Sequence, residues 1–195
     1  MPAGHKQEMD AVLQGIERET QRCTETTQKL LLLAQPYRAA TAWVDLNRAV
    51  RDTLSLLNYQ MNKQGIAVVQ DLDPSVPAVW ARESGLRGVC MNLAMNAVQA
   101  MRDGGMLTVR TRHAGSMVTL EIEDTGHGIQ PHHLDRIWDP FFTTKPIGQG
   151  TGLGLSITRP AVERYGGSIR VESRPGEGAR FILDLPVKGS GGTDG

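Results

Sequence analysis

Residues 148–156 read Gly-Gln-Gly-Thr-Gly-Leu-Gly-Leu-Ser, a glycine at every second position directly ahead of an apolar stretch with helical potential. Such a turn leaves backbone N–H groups unclaimed at a helix start, where phosphate oxygens are favoured. A polyphosphate is therefore the first ligand to consider. Taken alone, a glycine-rich turn before a helix is more often plain punctuation, so what the run means depends on the elements around it.

In residues 6–35, Gly15 is the only glycine or proline, and positions 9, 13, 16, 20, 23, 27, 30 and 34 recur at alternating steps of four and three. Six of the eight are apolar or Cys (Met9, Leu13, Ile16, Cys23, Leu30 and Ala34), which predicts one long amphipathic helix over residues 1–36. Thr20 and Thr27 interrupt the stripe, which favours a member of a helical bundle over a self-sufficient coiled coil. A helix on the surface of its own domain is the alternative. Pro36 ends the segment, and residues 37–44 read as a linker.

The domain proper is expected over residues 45–188. Its elements are a helix over 46–63 capped by Asp45 and closed by Gly65, strands over 66–72 and 78–80, and a helix over 86–101. Alternating runs over 106–112 and 117–124 follow, then a helix over 153–165 and a closing hairpin of 168–173 with 179–186. This order predicts a mixed α/β arrangement with helices covering one face of a sheet, and it lacks the regular βαβ alternation of a doubly wound dinucleotide fold. Residues 189–195 are expected to form a flexible tail.

Composition narrows the class. A chain of 195 residues holds one domain of about 150 residues plus an appendage. Its 39% hydrophobic and 22% charged content is that of a globular protein. With 21 basic and 21 acidic residues and no Lys/Arg block, nothing points to nucleic acid as a partner. Cys23 and Cys90 fall in helical patterns far apart in sequence, and both read as reduced and buried, which suits the cytosol. No apolar run approaches the roughly 20 residues of a membrane span, and the N-terminus has no signal-peptide pattern.

Two further clusters carry chemistry. The run over 117–124 delivers Asp124 at a strand end, followed by Thr125-Gly126-His127-Gly128-Ile129. A carboxylate beside two glycines can accept a hydrogen bond from the exocyclic amine of adenine while the backbone closes on the ring; an Asp-started turn is the plainer reading. In the helix over 86–101, Asn92 and Asn96 lie four apart on one face among Val89, Leu93, Met95, Ala97 and Val98. A buried amide needs a partner, and an Asn oxygen suits a hard cation such as Mg²⁺ that also holds phosphates. Asn satisfying nearby backbone is the structural alternative for either residue alone.

Together these segments resemble the ATP-binding catalytic domain of sensor histidine kinases, in the superfamily that includes gyrase, the Hsp90 chaperone and the mismatch-repair protein MutL. The matching elements are an asparagine box (Asn92-Leu93-Ala94-Met95-Asn96-Ala97), a first glycine box (Asp124-Thr125-Gly126-His127-Gly128-Ile129), a phenylalanine box (Asp139-Pro140-Phe141-Phe142-Thr143-Thr144-Lys145) and a second glycine box (Gly150-Thr151-Gly152-Leu153-Gly154-Leu155). Four boxes in the family's order make coincidence remote. Their wording is most similar to kinases of the nitrogen-regulation type.

The resemblance implies a two-layer α/β sandwich of the Bergerat type over residues 43–187, with a mixed, mostly antiparallel sheet. It implies ATP and Mg²⁺ as cofactors. Asn96 would ligate Mg²⁺, Asn92 would support the triphosphate, and Asp124 would bind the adenine amine, with Gly126, Gly128 and Ile129 against the base. Thr143, Thr144 and Lys145 would line the phosphates, and Gly150, Thr151, Gly152, Leu153 and Gly154 would present N–H groups to them. Asn96 and Lys145 would carry most of the catalysis. Residues 130–149 would form a short lid ordered by nucleotide. One departure is Gln99, where many relatives place a basic residue, which puts phosphate contacts from that helix in doubt. Hydrolysing members carry Glu four residues before the metal-binding Asn; here that position is Asn92, which tilts the reading from ATPase toward kinase.

Kinases of the family place the phosphorylated His on the first helix of a dimerisation hairpin. No such context surrounds His5, His113, His127, His132 or His133. By resemblance, residues 1–36 are the second helix of that hairpin. The expected partners are therefore a histidine-bearing dimerisation helix, on the same longer protein or on another chain, and a response regulator downstream. A homodimer and a non-catalytic nucleotide-binding module stay open.

Overall fold

The computed structural model describes residues 40–146 and 150–187, together with positions 9 and 15. The chain divides into two compact units, Met1–Tyr37 and Arg38–Gly195. Of the first, Met9 and Gly15 lie in helical backbone; the rest of the expected long helix, like the expected tail, lies outside the described residues.

The second unit begins with a strand. Ala42–Val44 (β1) pairs antiparallel with Val79–Ala81 (β3), and their central residues Trp43 and Trp80 meet edge to face with centroids 5.3 Å apart. The linker reading of residues 37–44 therefore gives way at 42–44 to a strand, and β3 lies one residue later than the expected 78–80. Leu46–Lys63 (α1) starts where Asp45 accepts a hydrogen bond from the Arg48 N–H at 2.9 Å, a cap worth about 1 kcal/mol. It stops at Gly65, whose φ of 69° lies in the left-handed region.

Ile66–Leu72 (β2) then enters a five-stranded sheet with Gly105–Ala114 (β4), Met117–Asp124 (β5), Ser168–Arg174 (β6) and Gly178–Pro186 (β7), in the order β2-β4-β5-β7-β6. Only β2 and β4 run parallel; the chain between them must cross over, and Glu83–Ala100 (α2) supplies that crossing. Along β5 buried and half-buried residues alternate. Val118, Leu120 and Ile122 face the core, while Thr119, Glu121 and Glu123 face the opposite side, where Arg110 pairs with both glutamates. The helices α1, α2 and Gly154–Arg164 (α3) cover the apolar face, as the period-2 pattern required. Each core Leu or Ile removed from water contributes about 1.5–3 kcal/mol before the cost of ordering it.

The helix α2 begins three residues earlier than its expected start at 86, and Gly85 in its first turn is a packing site. A Cβ there would come within 2.1 Å of the Tyr165 hydroxyl, so the ring lies against bare backbone. Cys90 is buried on α2, and burial pushes its thiol up to about 12, which leaves it an inert core residue.

Candidate functional site

Asp124 ends β5 between two neighbours, Leu107 of β4 and Ala179 of β7. Only 4% exposed, it accepts a hydrogen bond from the Gly126 N–H at 2.8 Å. Burial raises its pKa, with the backbone N–H groups of Gly126 and Ala179 pulling the other way. The Asp-started turn is thus present, and it fixes the carboxylate in a buried, polarised position at a sheet end.

The glycines after Asp124 are enforced by backbone. A Cβ on Gly126 would lie 2.6 Å from the Ala100 carbonyl oxygen at the end of α2, and one on Gly128 would lie 2.1 Å from that of Arg174. Gly128 also has a φ of 68°. Across the sheet, Gly178 sits where any side chain would strike the Asp124 carbonyl at 1.8 Å. The turn is tied down by His127 N–H to the Ala100 carbonyl at 3.3 Å and by Gly176 N–H to the His127 carbonyl at 2.9 Å. The Ile129 N–H donates to Ser173 Oγ at 2.9 Å, and Ser173 in turn donates to the Gly178 carbonyl at 2.6 Å.

The helix α2 forms one side of the site from end to end. Its residues Asn92, Asn96 and Gln99 follow the helical spacing that puts them on one face. Asn92 is buried and donates through Nδ2 to the Gly154 carbonyl at 3.3 Å and to Thr158 Oγ1 at 3.4 Å. Thr158 Oγ1 in turn donates to the Gly154 carbonyl at 2.9 Å. Asn92 therefore anchors the start of α3. One turn on, Asn96 is half-buried, and no protein partner for its carboxamide is found among the described residues. An oxygen donor so placed fits a hard cation that takes its other ligands from phosphate and water. No cluster of three His, Cys, Asp or Glu side chains that could hold a metal alone occurs among the described residues.

The second glycine box leads into α3, whose N-cap position, Leu153, supplies no side-chain hydrogen bond to the first N–H groups. Gly152 has a φ of 64°, and a Cβ there would lie 2.3 Å from the Phe141 carbonyl carbon. Its carbonyl accepts from the Phe141 N–H at 3.0 Å, which joins the phenylalanine box to the glycine turn. Phe141 itself, 74% exposed, takes a φ of 66°. The Lys145 N–H donates to Thr143 Oγ1 at 3.2 Å, and the Lys145 Nζ donates to Gln99 Oε1 on α2. Thr144 is exposed, and Thr151 and Leu153 are half-buried in the turn. Gly148 and Gln149 lie outside the described residues.

The segment expected as the lid, residues 130–149, has local structure of its own. Through residue 146 it carries two short 3₁₀ turns, Pro131–His133 and Arg136–Trp138, held by contacts within the segment and to α3. Arg136 stacks on Phe142 at 4.5 Å, His133 meets Phe142 edge-on at 5.3 Å, and Arg159 of α3 stacks on Trp138 at 4.4 Å. Burial lowers the pKa of His133, helped by His132 and Arg136. Sequence reading missed these contacts and the Lys145–Gln99 bond; the aromatic and Arg residues near the phenylalanine box were the only local signal.

Comparison with known proteins agrees with this geometry. Residues 81–189 match the family described as histidine kinase-, DNA gyrase B-, and HSP90-like ATPase. Over 186 residues the chain is 36% identical to the sensor histidine kinase ZraS of Escherichia coli K12, covering 95% of this chain and 39% of that protein. It thus spans about two fifths of the length of this curated relative. Among solved structures, the nucleotide-free catalytic domain of histidine kinase ThkA superimposes with a TM-score of 0.67 at 28% identity, covering 75% of this chain and 95% of that one. Full-length ShkA in complex with AMPPNP superimposes with a TM-score of 0.72 at 25% identity, covering 95% and 39% respectively. Among the described residues, no helix is long and apolar enough to cross a membrane.

Proposed function

Because the chain belongs to the family of histidine kinase-, DNA gyrase B-, and HSP90-like ATPases, we propose that it is the ATP-binding catalytic part of a sensor histidine kinase, of the nitrogen-regulation type and working in the cytosol. In this reading it transfers the γ-phosphate of ATP to a histidine on a dimerisation helix, and the phosphate then passes to a response regulator. The observation that carries the proposal is the Asn92 bond to the Gly154 carbonyl, which locks the asparagine face of α2 against the start of α3. Metal-side oxygen and phosphate-binding N–H groups are thereby presented to one ligand. A relative solved with AMPPNP makes an adenine nucleotide the natural choice.

Each residue has a task. Asp124 accepts from the adenine amine, and Gly126 and Gly128 let the backbone approach the ring. The first N–H groups of α3 and the turn from Gly150 to Gly154 receive phosphate oxygens, where the helix dipole adds to the hydrogen bonds. Lys145 brings a full positive charge to the same end, and Thr143 and Thr144 flank it. Asn96 would hold Mg²⁺, which supplies neutralisation of the phosphate charge that grows during transfer. A neutral imidazole needs little activation to attack, so the chain has only to position and to neutralise. Hydrolysis needs a group to orient water, and the buried Asn92, already committed to Gly154 and Thr158, offers no basic atom for it.

Incubation with labelled ATP, Mg²⁺ and a separate hairpin bearing the acceptor histidine tests the proposal. Label on the hairpin is the expected result. Phosphate release without label would replace it with an ATPase, and binding with neither would leave a regulatory nucleotide-binding module.

A further inference from the structure

Thr158 is fully buried in the second turn of α3, and nothing in the nucleotide reading gives its hydroxyl a task. A helical threonine often returns its proton to the carbonyl four residues back, and Thr158 Oγ1 does so to Gly154 at 2.9 Å. Here the same carbonyl also accepts from Asn92 Nδ2 at 3.3 Å, and Asn92 Nδ2 reaches Thr158 Oγ1 at 3.4 Å. The three groups close a triangle whose polarity is fixed. A carbonyl oxygen can only accept, so the hydroxyl proton is committed to it and the hydroxyl is left as an acceptor. Both neighbours of the Asn92 carboxamide therefore call for its NH₂ side. A reversed carboxamide would set oxygen against oxygen at Gly154.

The consequence lies on the other side of the amide. With both N–H groups turned to α3, Asn92 has no donor left for a phosphate oxygen, and what it can offer a ligand is Oδ1. Among the described residues that oxygen has no protein partner, yet it is not sealed; the side-chain atoms both sealed and unpaired there are Gln64 Oε1 and Arg87 Nε. One helical turn on, Asn96 offers a second carboxamide on the same face of α2. Two neutral oxygens so spaced suit a hydrated hard cation whose charge is balanced by phosphate. We infer that Thr158 is a positioning residue, whose buried hydroxyl holds the Asn92 carboxamide with its oxygen turned toward the hydrated Mg²⁺ of a bound nucleotide. The inference rests on the adenine-nucleotide reading above and adds to its metal end a residue that touches neither metal nor nucleotide.

The test is calorimetric titration of the 195-residue chain with ATP, once with Mg²⁺ and once with EDTA, with melting temperatures alongside. The chains compared are wild type, Thr158→Val, Thr158→Ser, Asn92→Ala and the Asn92→Ala/Thr158→Val double variant. The readout is the Mg²⁺ gain, the ratio of the two ATP affinities. Thr158→Val keeps the shape and removes the hydroxyl, so it should cut the gain roughly threefold to fivefold, the loss of one neutral hydrogen bond, with metal-free ATP within about twofold of wild type. Thr158→Ser should restore the gain. In the Asn92→Ala background Thr158→Val should change the gain no further, since the hydroxyl acts through the carboxamide. Thr158→Ala removes the same hydroxyl without branching and carries the same expectation should the valine variant not fold. A gain that survives Thr158→Val, equal losses with and without Mg²⁺, or a serine variant no better than valine would overturn the inference while leaving the nucleotide site standing. Wild-type ATP binding that ignores Mg²⁺ would overturn it together with the metal role of Asn96. A wild-type chain that binds no ATP would instead overturn the reading beneath it.

Discussion

At the Asp124 end of the site the glycines are hemmed in by backbone, whereas at the other end Gly150 and Gly154 face side chains. Gly126, Gly128 and Gly178 abut the carbonyls of Ala100, Arg174 and Asp124, atoms that belong to α2, β6 and β5. Gly150 and Gly154 abut Thr143, Lys145 and Asn92, and Gly152 abuts the backbone of Phe141 in the adjoining loop. The base end is therefore built into the sheet and can move only if the fold moves. The proposed phosphate end is held by side chains, by the Asn92 bond to Gly154 and by the Phe141–Gly152 loop bond, so fewer of its contacts belong to the sheet. In the proposed reading the flat adenine ring would meet the end enforced by backbone, and the triphosphate the end held by side chains.

Substitutions can break that comparison. Gly128→Ala should have the largest effect, together with Gly178→Ala, because each combines a left-handed φ with a Cβ on a backbone carbonyl oxygen, 2.1 Å from that of Arg174 and 1.8 Å from that of Asp124. We expect a loss of about 2–4 kcal/mol, a fall in Tm of roughly 5–15 °C by thermal melting, and no measurable ATP binding. Gly152→Ala, strained in the same way but in a loop, should cost about 1–2 kcal/mol while still weakening ATP more than roughly tenfold. A Gly152→Ala variant as unstable as Gly128→Ala would mean that the phosphate end is as much part of the core as the base end.

The pH dependence separates the ends further. Burial raises the pKa of Asp124 in the fold, so the fold favours its protonated form. The sign for stability follows: that contribution is present below the ordinary carboxylate range and is lost as pH rises through the raised pKa. In the proposed reading nucleotide binding runs the other way, because the ionised Asp124 carboxylate is the stronger acceptor for the adenine amine. ATP affinity should fall on acidification at a higher pH than for an ordinary carboxylate, in titrations of binding against pH. Smallest of all should be Gly154→Ala. A Cβ there meets Asn92 at an ordinary 3.7 Å, the N–H is retained, and alanine favours the helix start. ATP affinity within about twofold of wild type, and stability unchanged or raised by a few tenths of a kcal/mol, are expected.

What could be read from the sequence was what neighbours in sequence decide. Asp45 as a cap, Gly65 as a stop and the alternating run of β5 each act over a few residues, and they lie where the patterns put them. The four boxes are likewise local. The helix α2 starts at Glu83, ahead of the expected 86, and Gly85 in its first turn packs against Tyr165, 80 residues on, a contact that no local pattern shows. Strand β1 exists only through its pairing with β3, and a three-residue strand has too little pattern of its own to stand out from a linker. The Gln99–Lys145 bond joins a helix to a loop across the site, and no spacing rule connects them. The lid's own ring contacts were hidden for the same reason.

The most direct test of the central claim is the affinity of the Asp124→Asn variant for ATP with Mg²⁺, measured beside its melting temperature. The carboxamide can keep the hydrogen bond from Gly126 through its one oxygen, but it then turns an NH₂ group toward the adenine amine, donor against donor. The account predicts ATP binding weakened at least roughly tenfold with the fold retained, the cost of a buried mismatch of this kind. An unchanged ATP affinity in a folded Asp124→Asn chain would contradict it.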